Sequence, residues 1–310
     1  MTRSEERVVV DFVVVGAQRS ATTHLNACLR DHPAIFMCRD EVPFFEAPFF
    51  DSSSIDELGL ALAAAMPGQL RGIQRPDYLA RPECAQNIHS LAPEARIVAV
   101  LRDPVARAVS AYHWYMQFGL LPLRPLDTGI ERLLDGWTDP DYPRGPDILE
   151  LGFYGRHLAR YLDVFGSDHV LALLNEDIMD AEALPTVYRF LGVADDHTPP
   201  RSTRKTNAGT YDLRRLRILR SRRRFIWTWD DVDVYTYRPR RLRRPIASLL
   251  AASIVGVDRF VLAQILRGEP PSLRPDLDRR MREVYAADVE TLEGLIGRDL
   301  TRWRRSSAEA

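Results

Sequence analysis

The sequence contains almost no lysine. Among the 42 lysine and arginine residues of the 310-residue chain, only Lys205 is a lysine. Arginine presents a planar fork of N–H donors, whereas lysine is a point charge on a flexible stem. A charged role that other proteins give to lysine is therefore expected to fall on arginine in this chain.

Cysteine is also scarce, with Cys28, Cys38 and Cys84 as its three examples. Three scattered cysteines exclude a disulfide framework and do not have the spacing of a zinc site. We expect small, buried apolar side chains in a reducing compartment. The sequence also offers no His/Cys/carboxylate cluster, so no bound metal is expected.

Long hydrophobic runs and a strong net charge are both missing. The run Val8 to Val15 is short and includes Asp11, so it indicates a buried strand rather than a signal peptide. The stretch Ile246 to Val257 is well below the roughly 20 residues that span a bilayer. With a formal net charge of −1, the chain has no overall attraction to nucleic acid. These features predict a soluble, cytoplasmic protein.

Segments of strand and helix pattern alternate along the chain. Short apolar strands precede amphipathic helices several times, which indicates an α/β domain with a mostly parallel sheet flanked by helices, in three P-loop-like layers. The length fits one large domain over residues 1–310. The predicted strands are Val8–Val15, Ile35–Met37, Ile97–Leu101 and His169–Leu174, and the predicted helices include Glu150–Phe165, Ala181–Leu191 and Arg274–Trp303.

The segment Gly16 to Thr23, within VVVGAQRSATTHL, joins the first strand to a helix. A strand, a small polar turn and a helix together form a phosphate-binding loop. The ATP-binding version of that loop ends Gly-Lys-Ser/Thr, but this one carries Arg19 instead. Backbone N–H groups, hydroxyls, a guanidinium and a helix N-terminus all suit an anion.

A second motif, VLRDPVARAVSAY, follows the strand that ends at Leu101. Ligands of open α/β sheets bind at the carboxyl ends of the strands, where both motifs lie. Arg102 adds a guanidinium, and Ser110 lies about two helical turns further on. This arrangement suits a nucleotide with two separated phosphates.

These motifs resemble those of sulfotransferases that use 3′-phosphoadenosine 5′-phosphosulfate (PAPS), in the branch of the heparan sulfate enzymes and their bacterial relatives. The family loop reads close to Lys-x-Gly-Thr-Thr, so Arg19 replaces its lysine and Ser20-Ala21 replace small glycines. The downstream segments RGIQRPDYLA, LLNEDI and YAADVETLEGLIGRDLTRW follow the family order. The resemblance assigns donor contacts to Gln18, Arg19, Ser20, Ala21, Thr22, Thr23, Arg102, Ser110 and Lys205.

The segment DEVPFFE resembles the family's Lys-Glu-x-x-Phe-Phe stretch, in which the glutamate is the general base. That role falls on Glu41, and Asp40 stands where the family has lysine. His24, in the first turn of the loop helix, is the alternative base. The resemblance also gives Arg19 a catalytic role, the stabilisation of charge on the bridging oxygen during transfer.

Residues 212–270 combine arginines with aromatic residues and are predicted to form a helical insertion that covers the acceptor. Single-stranded nucleic acid is an alternative partner, but the near-neutral net charge argues against it. The stretch RPRRLRRPIASLLAASIV could contact a membrane surface. A packed lid or a dimer helix is the preferred interpretation.

Together these features predict a PAPS-dependent sulfotransferase of secondary metabolism, with PAPS as co-substrate. It would sulfate a hydroxyl of a small molecule, a sugar or a glycolipid without a metal ion. A P-loop kinase and a non-catalytic nucleotide-binding protein are the alternatives. The sequence leaves the acceptor and the oligomeric state open.

Overall fold

The computed structural model describes residues 10–39, 41, 43–47, 49–179, 183–200, 210–221, 227–229, 237–239, 245–266 and 271–305. Its contacts divide the chain into two compact units. The first comprises Met1–Arg102, Phe153–Thr206 and Asp288–Arg298, and the second comprises Asp103–Gly152, Asn207–Ala287 and Asp299–Ala310. The predicted single domain, with a helical insertion at 212–270, remains a prediction, and parts of that insertion lie outside the described residues.

The secondary structure alternates as the sequence predicts. The strands are β1 Phe12–Gly16, β2 Ile35–Met37, β3 Leu70–Gln74, β4 Arg96–Leu101, β5 Val170–Leu174, β6 Trp227–Trp229 and β7 Tyr237–Pro239. The helices are α1 Thr22–Asp31, α2 Ser52–Leu62, α3 Cys84–Leu91, α4 Pro104–Phe118, α5 Leu126–Leu134, α6 Asp147–Glu150, α7 Tyr154–Phe165, α8 Ala183–Leu191, α9 Leu213–Ser221, α10 Pro245–Val257, α11 Ala263–Ile265, α12 Pro275–Ile296 and α13 Thr301–Arg304. A π-helical turn, Asp258–Leu262, joins α10 to α11.

The first unit is built on a five-stranded sheet in the order β2-β3-β1-β4-β5, and every pair of neighbours is parallel. In β1, Val13 pairs with Ile73 on one side and Ile97 on the other. All five residues of β1 are buried, as expected for a parallel strand covered on both faces. This confirms the predicted α/β fold with a parallel sheet.

Helices cover both faces of this sheet. On one face, α1 and α8 pack through a core that includes Leu25 of α1 and Val187 of α8 against Val14 and Val100. Val13 and Ile97 of the same strands are equally buried but point to the opposite face. Helix α7 packs against α3 and contacts β5. The result is the three-layer arrangement that the sequence predicts.

The order of the strands decides where a ligand can bind. The chain passes from β1 outward to β2, returns through β3 to the side of β1, and crosses to β4 on its other side. The carboxyl ends of β3, β1 and β4 are therefore neighbours at the point where the direction of winding reverses. Open α/β sheets bind their ligands at such a point.

In the second unit, α4 begins as its sequence predicts. Asp103 is the N-cap and accepts a 2.9 Å hydrogen bond from the Ala106 amide, and Pro104 occupies the first turn. The other carboxylate oxygen of Asp103 lies 3.1 Å from a guanidinium nitrogen of Arg282. The Arg107 guanidinium is fully buried and donates to the Ile148 carbonyl.

Two predicted helices are interrupted. The helix predicted over Glu150 to Phe165 breaks after Glu150, and α7 begins at Tyr154. The Asp288 carboxylate accepts hydrogen bonds of 2.8 Å from the amides of Gly155 and Arg156, and so caps a new helix there. The helix predicted over Arg274 to Trp303 stops at Ile296, because Gly297 adopts a left-handed φ of 64°.

Boundaries differ elsewhere by a few residues. The first strand begins at Phe12, because Val10 and Asp11 are not part of it, and Val8 and Val9 lie outside the described residues. Among the helices that the structure describes, none has the length and apolar character to cross a membrane.

Candidate functional site

The loop between β1 and α1 has the backbone of an anion-binding turn. Arg19 and Ala21 adopt left-handed φ angles of 66° and 71°, which non-glycine residues rarely take. Ala21 is the N-cap of α1 and provides no side-chain hydrogen bond to the helix. The first amides of a helix have no intrahelical acceptor, so an anion at this end would accept from them.

The hydroxyl groups of the loop differ in exposure. Ser20 and Thr22 are buried, and Thr23 is exposed. Within the described part of the chain, the Ser20 hydroxyl has no hydrogen-bond partner. A buried hydroxyl without a partner is costly in a folded protein. Ser20 can therefore donate to an anionic oxygen held by the loop.

Arg102 connects the end of β4 to this loop. Its Nη1 donates a 3.2 Å hydrogen bond to the carbonyl of Arg19. One residue after β1, the Ala17 amide donates to the Val100 carbonyl at 2.8 Å. The structure thus brings together Arg19 and Arg102, which the sequence placed at separate strand ends.

The end of β3 supports the same loop from the other side. The Gln18 amide group donates a 3.0 Å hydrogen bond to Asp77, and both side chains are buried. The backbone amide of Arg75 donates to the Val14 carbonyl at 3.1 Å. Gln18 therefore has a position that supports the loop through Asp77.

Glu41 lies against the last residue of β3. Its Oε1 accepts a 2.9 Å hydrogen bond from Nε2 of Gln74. Burial of the carboxyl group raises the pKa of Glu41, while the Gln74 hydrogen bond and the Arg75 charge oppose the rise. Taken over the whole residue, Glu41 is nevertheless exposed to solvent. This exposure limits the rise of the Glu41 pKa. A carboxylate with a raised pKa and access to solvent can act as a general base.

A buried ion pair near Glu41 was not predicted from the sequence. The guanidinium of Arg75 binds both carboxylate oxygens of Glu46, at 2.7 and 3.2 Å, and lies 3.9 Å from Asp77. Burial acts to lower the pKa of Arg75, but Asp77 and Glu46 outweigh it, so the pKa is raised. Arg75 follows β3 directly, at the carboxyl end of a parallel strand, where open α/β sheets bind their ligands.

The alternative base, His24, is buried in α1. Its Nε2 lies 3.8 Å from the Cys28 sulfur, and its Nδ1 has no hydrogen-bond partner among the described residues.

His113, in the second unit, donates from Nδ1 to the Val109 carbonyl at 2.9 Å. Burial lowers the pKa of His113. Its hydrogen bond and its contact with the Tyr112 ring give it a place in the packing of α4.

The remaining candidates lie elsewhere. Ser110 is half-buried on α4, in the second unit. Lys205 and Asp40 lie outside the described residues. In the described ranges, no three histidine, cysteine or acidic side chains form a group that could hold a metal ion.

Comparison with known proteins gives the family. Residues 10–206 match the sulfotransferase domain family, and this match includes β1 to β5 and all the residues at their carboxyl ends described above. The chain belongs to the sulfotransferase family.

Curated relatives lie in the heparan sulfate branch. The chain is 27% identical over 200 residues to human heparan sulfate glucosamine 3-O-sulfotransferase 6, covering 60% of the chain and 54% of the relative. It is 25% identical over 193 residues to human heparan sulfate glucosamine 3-O-sulfotransferase 3B1, covering 58% and 45%. The chain thus spans about half the length of the curated relatives it matches.

A solved sulfotransferase from Alicyclobacillus acidocaldarius has a similar fold. Its TM-score is 0.63 at 22% sequence identity, covering 98% of this chain and 100% of that one. At this identity the likeness applies to the fold alone.

Proposed function

We propose that this chain transfers the sulfuryl group of PAPS to an acceptor hydroxyl. The observation that carries the proposal is the convergence of the β1 loop, the end of β3 and Arg102 at one edge of the sheet. A guanidinium, the amides at an uncapped helix end and a buried hydroxyl with no described partner belong to this edge. This chemistry fits the phosphosulfate end of PAPS.

Each part of the site then has a role. The amides of the loop, the Arg19 guanidinium and the hydroxyls of Thr22 and Thr23 hold the 5′-phosphosulfate. Arg102 and Ser110 hold the 3′-phosphate, and Lys205 adds a further contact to the donor. Because guanidinium groups and helix amides neutralise the donor's charge, we propose that the transfer needs no metal ion.

The chemical step is an in-line displacement at sulfur. The acceptor oxygen forms a bond to sulfur while the bond between sulfur and the bridging phosphate oxygen breaks. Glu41 takes the hydroxyl proton, and charge grows on the bridging oxygen, where Arg19 stabilises it. The products are the sulfated acceptor and 3′-phosphoadenosine 5′-phosphate (PAP).

The acceptor is a hydroxyl on a sugar, a glycolipid or another small molecule. The names of the curated relatives describe 3-O-sulfation of a glucosamine unit, which supports a sugar-like acceptor here.

The cysteines that the structure describes are free, which supports the proposed reducing, cytoplasmic setting. Secondary metabolism is the proposed context.

Thermal melting with PAP, with AMP and with ATP plus Mg²⁺ tests the donor. We expect PAP to raise the melting temperature most, by an amount that corresponds to about 2.7 kcal/mol at 100 times its dissociation constant. A larger effect of ATP with Mg²⁺ would instead favour a P-loop kinase.

The reaction itself is tested by incubation with PAPS and a panel of hydroxyl acceptors. The expected result is an acceptor whose mass increases by that of one SO₃ group, with PAP as the second product. Binding of PAP without a sulfated product from any acceptor would support the non-catalytic alternative.

A further inference from the structure

Among the described side chains of the helical segment from Pro245 to Ile265 (α10, the π-helical turn and α11), large apolar groups are exposed and an acidic group is buried. Asp258 is buried and forms a two-point ion pair with Arg215 of α9, at 2.8 and 2.9 Å. Phe260 and Ile265, by contrast, are 70% and 71% exposed. A helix on a protein surface ordinarily buries its apolar side chains and exposes its charges.

Exposed apolar side chains are concentrated on this segment. Of the large apolar residues that are exposed in the described chain, half lie between Leu249 and Ile265. Helix α9, which packs against the segment, adds the exposed side chains of Leu213 and Ile218. Single exposed apolar residues are ordinary, but a concentration of them marks an interaction surface.

The described acidic groups of α9 and of the π-helical turn are paired with arginines. Asp258 is paired with Arg215, and Asp212 binds Arg214 at 2.9 Å. Within the described residues, neither Arg217 nor Arg259 has a carboxylate partner, and both are exposed. The face formed by the described side chains of α9 and this segment therefore combines apolar groups with arginines that have no described carboxylate partner.

We propose that this face, formed by α9 and the segment Pro245–Ile265, docks on an anionic membrane surface. Apolar side chains enter the boundary between headgroups and acyl chains, and arginines bind the lipid phosphates. A second copy of the chain fits less well, because it would bring like charges together. A soluble polyanion would leave the apolar side chains without a partner.

Vesicle sedimentation with the full chain tests the proposal. We expect binding to phosphatidylglycerol/phosphatidylcholine vesicles and little binding to pure phosphatidylcholine. Phe260→Ser combined with Ile265→Ser should weaken binding at least tenfold. Arg217→Gln and Arg259→Gln should each weaken it about fivefold, and less at high salt. Leu60→Ser is the matched control, since Leu60 is 77% exposed on α2 of the other unit.

A fluorescence measurement tests the same contact without the serine variants, whose weaker binding could also come from unfolding. The Phe260→Trp variant should show a blue-shifted emission when anionic vesicles are added, and Leu60→Trp should not. The proposal is overturned if the anionic and neutral vesicles bind equally, if the double variant binds like Leu60→Ser, or if the emission of the Phe260→Trp variant does not move. It is also overturned if sedimentation velocity shows a dimer that Phe260→Ser dissociates and no binding to vesicles.

Discussion

The side-chain amide of Gln74 donates a 2.9 Å hydrogen bond to Oε1 of Glu41. Gln74 is buried at the end of β3, so the bond fixes this carboxylate relative to the sheet. A hydrogen bond donated to a carboxylate favours its charged form, whereas burial of the carboxyl group disfavours it. These two effects, together with the nearby charges of Arg75 and Asp77, set the pH at which Glu41 accepts a proton.

Replacing Glu41 by Gln should lower kcat by about 10²- to 10⁴-fold, the usual contribution of a positioned general base. Glutamine keeps the size of the side chain but cannot accept the proton, so the affinity for PAP should stay nearly unchanged. Steady-state kinetics and PAP titration measure the two effects. His24→Ala and His113→Ala are the controls. If Glu41→Gln remained active and His24→Ala did not, the base would be His24.

Replacing Gln74 by Leu should shift the pH profile of kcat/KM. Loss of the donated hydrogen bond removes an effect that lowers the pKa of Glu41, so the pKa should rise. Because the base works when deprotonated, the acidic limb of the profile should move to higher pH. A net hydrogen bond of about 1 kcal/mol corresponds to a shift of about one pH unit or less. A uniform loss of activity with an unmoved limb would contradict this role for Gln74.

The two arginines of the donor site should respond differently to alanine. Arg19→Ala should lower kcat by about 10²-fold or more, because it removes a donor to the oxygen on which charge develops. Arg102→Ala should mainly weaken PAP binding, because it removes a contact to the 3′-phosphate, which does not change during transfer, and the hydrogen bond from Arg102 to the loop. Arg19→Lys should retain substantial activity. If Arg19→Ala changed only the KM for PAPS, its role in the transition state would be wrong.

The buried pair of Arg75 and Glu46 should matter for stability. Glu46→Ala leaves a buried guanidinium without its main partner, and such a loss costs about 3–5 kcal/mol. Urea unfolding measures this cost. Asp195→Ala is the control, because the Asp195–Arg189 pair is exposed and should contribute less than about 1 kcal/mol. If both variants lost the same free energy of unfolding, the charge of Arg75 would be stabilised by groups other than Glu46.

The cysteines should resist alkylation in the native protein. Burial, with a smaller effect of Asp31, raises the pKa of Cys28 to about 11, and burial likewise raises the pKa of Cys84. At about pH 8, roughly one Cys28 thiol in 10³ is then a thiolate, and the thiolate is the reactive form. Mass spectrometry after iodoacetamide should find labelling of Cys28, Cys38 and Cys84 only in guanidinium chloride. Rapid labelling of native Cys28 would contradict the described burial.

Much of the sheet could be predicted because its signals are local. Strand β2 is Ile35–Met37 as predicted, and α1 begins at the predicted Thr22. Both boundaries follow from a polar or proline residue beside an apolar run. The loop at Arg19 and the end of β4 at Arg102 could be placed near each other because parallel strands share a carboxyl edge.

What the sequence did not predict depends on distant residues. Glu46 and Arg75 are 29 positions apart, and each looks alone like an ordinary solvated charge. Their pairing follows from the fold of the chain around β3. The start of α7 likewise depends on Asp288, which caps the Gly155 amide from 133 positions away. No window of neighbouring residues contains either relationship.

The contact between Arg102 and the loop has a consequence for how this sequence could evolve. Arg102 binds the carbonyl oxygen of Arg19, an atom that every amino acid provides. This hydrogen bond between the loop and β4 therefore does not require a particular side chain at position 19. A lysine at position 19, as in the family pattern, would present the same carbonyl oxygen to Arg102. This contact is therefore compatible with either basic residue in the loop.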